Sequence, residues 1–289
     1  MAQQYDRSQE DSGNSVQLEH LNLRQPDQRV NMLFYLVGMG FTRDPYLVVG
    51  VDNMWINIGR SQIHMPTGEA QLIDGTIGLV VPDLAALCSR LKNVAPRLEG
   101  TQFRFTDRSD FVEVTCPWGN HFRVHAPSAE LGGYELGMPY VEFRVPSGKA
   151  AGIARFYGEV IGAPSRCETT RGDTQVAVVQ VGRGQQLLFR ETTEKVRPYD
   201  GHHLQLYLVD FSTPHQKLAE LGLITEESNQ HQYRFTRIVD PADGSDLHSL
   251  EHEIRSITHP LYGRQLVNRN PMQTNQAYLR NRDTFAGVY

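Results

Sequence analysis

The sequence has little that would anchor it in a membrane or attach it to a nucleic acid. It contains no run of about 18 apolar residues, the length that a membrane-spanning helix needs. Its opening, MAQQYDRSQEDSGNSVQ, is polar and lacks the apolar region of a secretion signal. A net charge of −5 gives no basic surface for a nucleic acid. We therefore expect a protein with neither a membrane nor a nucleic-acid partner.

Cysteine is also scarce. The three cysteines, Cys88, Cys116 and Cys167, are odd in number, lie far apart and form no CxxC pair. This pattern is typical of reduced thiols in a cytoplasmic protein. We expect each cysteine to be a small buried residue rather than a nucleophile. A phosphate-binding loop is absent too, because GRGQQ lacks the Lys-Ser/Thr and the helix that would follow.

What the sequence does contain is one unit in four copies. Each copy has a strand that ends near Pro or Asp and continues into an amphipathic helix. The four strand–helix pairs are LEHLNLRQPD with QRVNMLFYLVGMGF, TIGLVVPD with LAALCSRLKNV, PYVEFRVPSG with KAAGIARFYGEVIG, and HHLQLYLVD with FSTPHQKLAELGL. Extended segments such as MWINIGRSQIHM and TQVAVVQVGRGQQLLF follow and are predicted to be hairpins. The pattern predicts a βαβββ unit, and the four first strands align at His20, Thr76, Tyr140 and His203.

This layout resembles the vicinal oxygen chelate superfamily, which includes glyoxalase I, bleomycin-resistance proteins and extradiol dioxygenases. The resemblance covers roughly residues 16–255 and rests on the openings HLNLRQPD and HLQLYLVD, on FYGEVIG, and on the hairpins DPADG and PWGN. It implies an α+β fold in which four βαβββ modules pair into two cup-shaped half-barrels. The superfamily supports several chemistries, so the resemblance alone does not define one activity.

The resemblance also divides the chain. We expect a disordered segment over residues 1–15, a domain of modules 1 and 2 over 16–130, and a domain of modules 3 and 4 over 138–258. A C-terminal extension over 259–289 is expected to pack on the body, because it is rich in Tyr, Leu and Phe for a disordered tail.

In this superfamily the metal ligands come from the first and last strands of each module. The first module offers His20 and His64, and the fourth offers His203 with either His248 or Glu251. The superfamily's preference for glutamate favours Glu251, whereas the count from the preceding glycine favours His248; we choose Glu251.

The two middle modules have Thr76 with Arg123, and Tyr140 with Leu187, and neither of them supplies a ligand pair. All four ligands converge only if modules 1 and 4 share one cup. We therefore favour the pairing 1+4 and 2+3 over the pairing 1+2 and 3+4.

Other residues are candidates for the chemistry around such a metal. Residues two apart on a strand share a face, so Asn22, Gln62 and Gln205 are expected to line the cup. Tyr233 is a candidate proton donor, and Arg255 is expected near the substrate.

Three imidazoles with one carboxylate suit a divalent metal ion, with iron favoured and zinc, nickel or manganese as alternatives. The sequence thus favours a mononuclear metal-dependent dioxygenase that acts on a small oxygenated organic molecule. Tyr140 in the third histidine position departs from the usual extradiol set. A glyoxalase-type lyase or isomerase with zinc or nickel, and a non-catalytic binding or resistance protein, are the alternatives. We expect a cytoplasmic monomer or homodimer.

Overall fold

The computed structural model describes residues 5–44, 52–170, 172–264 and 266. Its element order is strand, helix and three strands, repeated four times. The first module has β1 (Ser15–Asn22), α1 (Gln28–Asn31) continued by a π-helical stretch (Met32–Gly38), β2 (Thr42–Arg43), β3 (Asn53–Ile58) and β4 (Ser61–Pro66). The second has β5 (Gly75–Val80), α2 (Leu84–Val94), β6 (Arg104–Asp107), β7 (Phe111–Thr115) and β8 (His121–His125).

The third module has β9 (Gly137–Pro146), α3 (Ala150–Phe156) continued by a π-helical stretch (Tyr157–Ile161), β10 (Ser165–Thr169), β11 (Gln175–Gly182) and β12 (Gln185–Thr192). The fourth has β13 (His203–Leu208), α4 (Ser212–Glu220), β14 (Ile224–Asn229), β15 (Gln232–Val239) and β16 (Asp246–Ser256). Short 3-10 turns lie at Arg7–Glu10, Ala95–Arg97 and Ala129–Leu131. The predicted α+β class is confirmed, and so are the hairpins of β3 with β4 and of β11 with β12.

The strands form two sheets of eight. The sheet of modules 1 and 4, here called the outer-module sheet, has the order β14-β15-β16-β13-β1-β4-β3-β2. The inner-module sheet has the order β10-β11-β12-β9-β5-β8-β7-β6. In each sheet two modules meet through an antiparallel pair of first strands, β1 with β13 and β5 with β9. Modules 1 and 4 therefore share a sheet, which is the pairing that the sequence favoured.

Alternation along the strands gives each sheet an apolar face and a polar face. On β13, Leu204, Leu206 and Leu208 belong to the buried core, whereas His203, Gln205 and Tyr207 point to the other side. The helices cover the apolar faces: α2 contacts the π-helical stretch of module 1, and α4 contacts that of module 3. Within the described part of the chain, no helix has the length and apolar character to cross a membrane.

Both ends of the described chain contact the body. The side-chain amide of Asn14 donates to the carbonyls of Ile161 and Asp210, each at 2.8 Å, so part of the segment expected to be disordered is held in place. At the other end, residues 259–264 pack against the outer-module sheet, while most of the expected extension lies outside the described residues. The prediction of buried thiols holds for Cys88 and Cys116 and is wrong for Cys167, which is exposed on β10.

Candidate metal centre

Three donor side chains meet on the polar face of the outer-module sheet. They are His20 on β1, His203 on β13 and Glu253 on β16, and their ligand atoms all lie within 4.8 Å of one another. The three strands are neighbours, with β13 between β1 and β16. Among the described residues no other group of three such side chains has this geometry.

An irregularity in β1 positions His20. Leu18 pairs with Leu206 and His20 with Gln205, so Glu19 is one extra residue in β1 and forms a β-bulge. The buried Gln185 side chain supplies hydrogen bonds to the Leu18 backbone at this bulge. Its amide oxygen accepts from the Leu18 N–H and its amide nitrogen donates to the Leu18 carbonyl, both at 3.0 Å. The bulge brings the Glu19 carboxylate beside the His20 ring.

Glu19 decides which nitrogen of His20 is available. Its Oε2 lies 3.0 Å from His20 Nδ1, and both side chains are buried. A carboxylate at Nδ1 holds the proton there and leaves the Nε2 lone pair free, which is the usual arrangement behind a metal-binding histidine.

His203 lies between two carboxylates. Its Nδ1 is 3.5 Å from Glu251 Oε1, and its Nε2 is 3.6 Å from Glu253 Oε2. Both distances exceed a hydrogen bond, and the buried Nε2 atom has no hydrogen-bond partner in the described structure. Two donors that share one ion at about 2.1 Å lie about 3 to 3.5 Å apart, so the Nε2–Oε2 distance is close to that of a ligand pair.

The protonation states suit a metal. Burial lowers the pKa of His203 to about 3, against the opposing charge of Glu253, and burial also holds the pKa of His64 well below its ordinary value. Burial alone would raise the pKa of Glu253, but Arg255 and other positive charges outweigh it and hold that pKa at about 2. His203 and Glu253 are therefore in the deprotonated forms that metal ions require at neutral pH.

Two arginines hold the carboxylates in place. Arg234 bonds to both Glu251 and Glu253. Arg255 approaches Glu253 Oε1 at 2.6 Å and Glu19 Oε2 at 3.3 Å. Buried ion pairs of this kind fix geometry because each charge needs its partner in a medium of low dielectric constant.

His64 lies next to the three donors. Its ring stacks between Trp55, at 3.7 Å, and His20, at 3.8 Å. Its Nε2 is 2.9 Å from Gln62 Oε1, so Gln62 orients the ring. Stacking on both sides leaves His64 no freedom to turn, and its place is beside His20 rather than within the group of three.

The C-terminal segment contributes to the same face. Arg264, whose side chain is 1% exposed, bonds to Asp44 and donates to Gln62 Oε1 at 3.2 Å. Tyr262 packs edge-on against Tyr207 with ring centroids 4.8 Å apart. A cavity of 470 Å³ lies between this segment and β1, and Glu19 forms part of its wall.

Several buried polar groups on this face have no hydrogen-bond partner in the described structure. They are both amide atoms of Gln205, the Tyr207 hydroxyl and the Trp55 indole nitrogen. Leaving such a group unpaired costs about 1 to 3 kcal/mol, so each one calls for a ligand or an ordered water. They lie on β13, which carries His203, and on β3, which adjoins the strand of His64.

The structure places the candidate residues as follows. His20 and His203 come together, and Arg255 lies beside them. Glu251 lies at Nδ1 of His203, whereas Glu253 lies at Nε2. His248 is not on this face, since it lines a separate cavity with Phe143 and His202.

Tyr233 also lies away from the group. Its ring is on the apolar side of β15, where it packs against Phe211 and His215 with centroids 4.8 and 5.0 Å away. A residue next to it, Arg234, faces the donors instead, because neighbouring residues of a strand point to opposite faces.

Sequence reasoning missed Glu253, Glu19 and Asp44. Glu253 shares a face with Glu251, but which of the two meets His203 depends on the register of β13 with β16. A signal for Glu19 was present: the apolar residues Leu18 and Leu21 are three apart, where a regular strand would have two.

The inner-module sheet carries a different set at the corresponding positions. Tyr140 stands where His203 stands, and its ring lies over Gly78, where an added Cβ would come within 2.3 Å of Tyr140 Cε1. The Tyr140 hydroxyl is 3.0 Å from His125 Nε2. An aromatic ring thus fills the centre of this face.

Comparison with known proteins identifies the fold. No family model matches the sequence, and no curated protein matches it. Among solved structures, a candidate dioxygenase of Bacillus subtilis subsp. subtilis strain 168 superposes with a TM-score of 0.56 at 13% identity, covering 88% of this chain and 87% of that one. Glyoxalase I from Zea mays superposes with a TM-score of 0.56 at 14% identity, covering 87% and 95%. The chain has the fold of these two proteins, which is the fold that the sequence predicted.

Proposed function

We propose that this chain is a mononuclear metal-dependent enzyme that oxidises a small oxygenated organic substrate with dioxygen. The observation that carries the proposal is the group of His20, His203 and Glu253, with the buried Nε2 of His203 left without a partner. Two imidazoles and one carboxylate on one face form the ligand set of non-haem iron oxygenases, which leaves positions open for substrate and dioxygen.

A divalent ion bound there would supply Lewis-acid binding of two neighbouring substrate oxygens and a site for dioxygen. The chain's own groups prepare this chemistry. Glu19 holds the proton at Nδ1 of His20, and Arg234 with Arg255 keeps Glu253 ionised. Gln205 and Tyr207 offer unpaired polar atoms that can bind and orient substrate oxygens.

The site is also shielded from water. Trp55 and His64 stack as one wall beside His20, and the C-terminal residues Tyr262 and Arg264 cover another part of the face. Exclusion of water strengthens each electrostatic contact in the site and protects reactive species from side reactions.

A glyoxalase-type lyase or isomerase with zinc or nickel is the second candidate. The observation in its favour is Glu251, a further carboxylate next to the donors that could serve as a general base. Against this role, the Glu251 carboxylate is already bonded to Arg234, so it is not free to accept a proton from a substrate.

Metal analysis tests the proposal. The protein is purified without oxygen and its metal content is measured for the wild type and for His20→Ala, His203→Ala and Glu253→Gln, with Glu251→Gln as the matched control. We expect near-stoichiometric iron in the wild type and in the control, and its loss in the other three variants. Oxygen uptake with small vicinal diols should follow the iron content.

Other outcomes would change the proposal. Zinc or nickel that is lost in the same three variants would favour the lyase. Failure to bind any metal after reconstitution would overturn the enzyme and leave a small-molecule binding protein. Loss of metal in Glu251→Gln but not in Glu253→Gln would move the third ligand to Glu251.

A further inference from the structure

The polar face of the inner-module sheet holds two adjoining cavities. One has a volume of 260 Å³ and the other of 290 Å³, and Thr76 and His121 line both. Tyr140 and Thr76 stand here in place of the two histidines of the outer-module sheet, so the metal chemistry of that sheet does not extend to these cavities.

The carboxylates that line the two cavities already have arginine partners. Asp74 pairs with Arg144 at 2.6 Å, and Glu142 pairs with Arg190 at 2.8 Å. The third carboxylate, Glu113, pairs with an exposed arginine outside the cavity, Arg108, at 2.9 Å. None of the three therefore offers its charge to a further cation.

Three other arginines of the cavity walls have no carboxylate partner among the described residues. Arg104 and Arg123 line the first cavity, and Arg197 lines the second. The Arg123 guanidinium also lies over the Phe111 ring, 4.7 Å from its centroid. No carboxylate of the described residues lies within 4.0 Å of these three guanidinium groups, although many other arginines of the chain form such pairs. Three guanidinium groups without a carboxylate partner, in a chain of net charge −5, give a local field suited to an anion.

His121, which lies between the two cavities, responds to that field. Burial lowers its pKa, and the charges of Arg104, Arg144 and Arg197 lower it further. The side chain is held by Thr115, whose Oγ1 is 3.1 Å from His121 Nδ1. The positive charges of both cavities therefore act on the same side chain, His121.

We propose that this face binds a small organic dicarboxylate, with one carboxylate in each cavity. Each cavity has its own unpaired guanidinium, and arginine binds carboxylates through two parallel hydrogen bonds. Thr76 and His121 line both cavities, so the short carbon chain that joins the two carboxylates would pass beside them. A single phosphate would engage the charges of one cavity only.

Calorimetric titration with glutarate tests this at low ionic strength, because salt screens such contacts. The protein is freed of metal and dialysed beforehand, so that the result does not depend on the metal site of the other sheet and no chelator competes with the ligand. The variants are Arg104→Ala and Arg197→Ala, one for each cavity. The control is Arg166→Ala, another exposed arginine of the same sheet, which pairs with Glu168 on β10. All three residues are exposed, and thermal unfolding checks that each variant folds.

We expect glutarate to bind the wild type and the control with equal affinity. Its affinity for each cavity variant should be at least about tenfold lower. Acetate and inorganic phosphate should bind at least about tenfold more weakly than glutarate. Absence of binding by glutarate and by succinate would overturn the proposal. So would glutarate binding that both cavity variants retain, or phosphate binding as tight as that of glutarate.

Discussion

Replacing Glu253 with glutamine should destabilise the metal-free protein by about 3 kcal/mol. The substitution keeps the shape of the side chain and removes the charge that faces Arg234 and Arg255. The pKa of Glu253 is held at about 2 against an ordinary value of 4.5. Each pKa unit corresponds to about 1.4 kcal/mol, so the ionised carboxylate contributes about 3 kcal/mol to folding. Losing one partner of a buried ion pair costs a similar amount.

The assay is urea unfolding in the presence of EDTA, with Glu251→Gln as the control. The Glu251 side chain is 27% exposed, and we expect its variant to lose about 1 kcal/mol or less. Because the pKa of Glu253 is lower in the folded state, its contribution is complete above pH 4.5 and is lost as the pH falls towards 2. The gap between wild type and Glu253→Gln should narrow over that range. Equal destabilisation by the two variants at pH 7 would refute the reasoning.

Three more outcomes are expected. Gly78→Ala should cost about 1 to 3 kcal/mol in thermal unfolding, because its Cβ would meet the Tyr140 ring at 2.3 Å, and a Tyr140→Ala background should remove most of that cost; an equal cost in both backgrounds would contradict this. Arg264→Met should expose the C-terminal segment to limited proteolysis, since the Arg264 side chain is 1% exposed and bound to buried partners. Arg60→Met, at an exposed arginine of the turn between β3 and β4, should not; an unchanged digestion pattern for Arg264→Met would contradict this. Burial lowers the pKa of His248 to about 4, so between pH 6.5 and 4 the unfolded chain binds a proton that the folded protein does not, and the free energy of unfolding falls. His248→Gln should reduce this loss of stability by about 1 to 2 kcal/mol at pH 5; parallel pH profiles of the two proteins would argue against the shift.

The sequence predicted the parts of the fold that depend on local pattern. The alternation of His203, Gln205 and Tyr207 with leucines defined one polar face before any pairing was known. The repeated position of His20 and His203 predicted that two modules share a site, and both residues lie in the group of donors.

The parts that sequence reasoning missed depend on contacts between distant segments. The choice between Glu251 and Glu253 follows from the register of β13 with β16, which no local pattern contains. The bulge at Glu19 is completed by Gln185 from another module. Arg264 reaches the site only because residues after β16 turn back over the sheet.

The central pairing of β1 with β13 has a consequence for synthesis of the chain. Arg255 and Glu19, which meet beside the donors, are 236 residues apart in sequence. Because the ribosome adds roughly 5 to 20 residues each second, β1 is made many seconds before its partner strand β13. Until then it is an unprotected sheet edge, open to pairing with other chains. The first module therefore lacks its neighbour in the sheet until the last module is made. A chain that ends before β13 would leave this edge of β1 exposed, and aggregation can begin there.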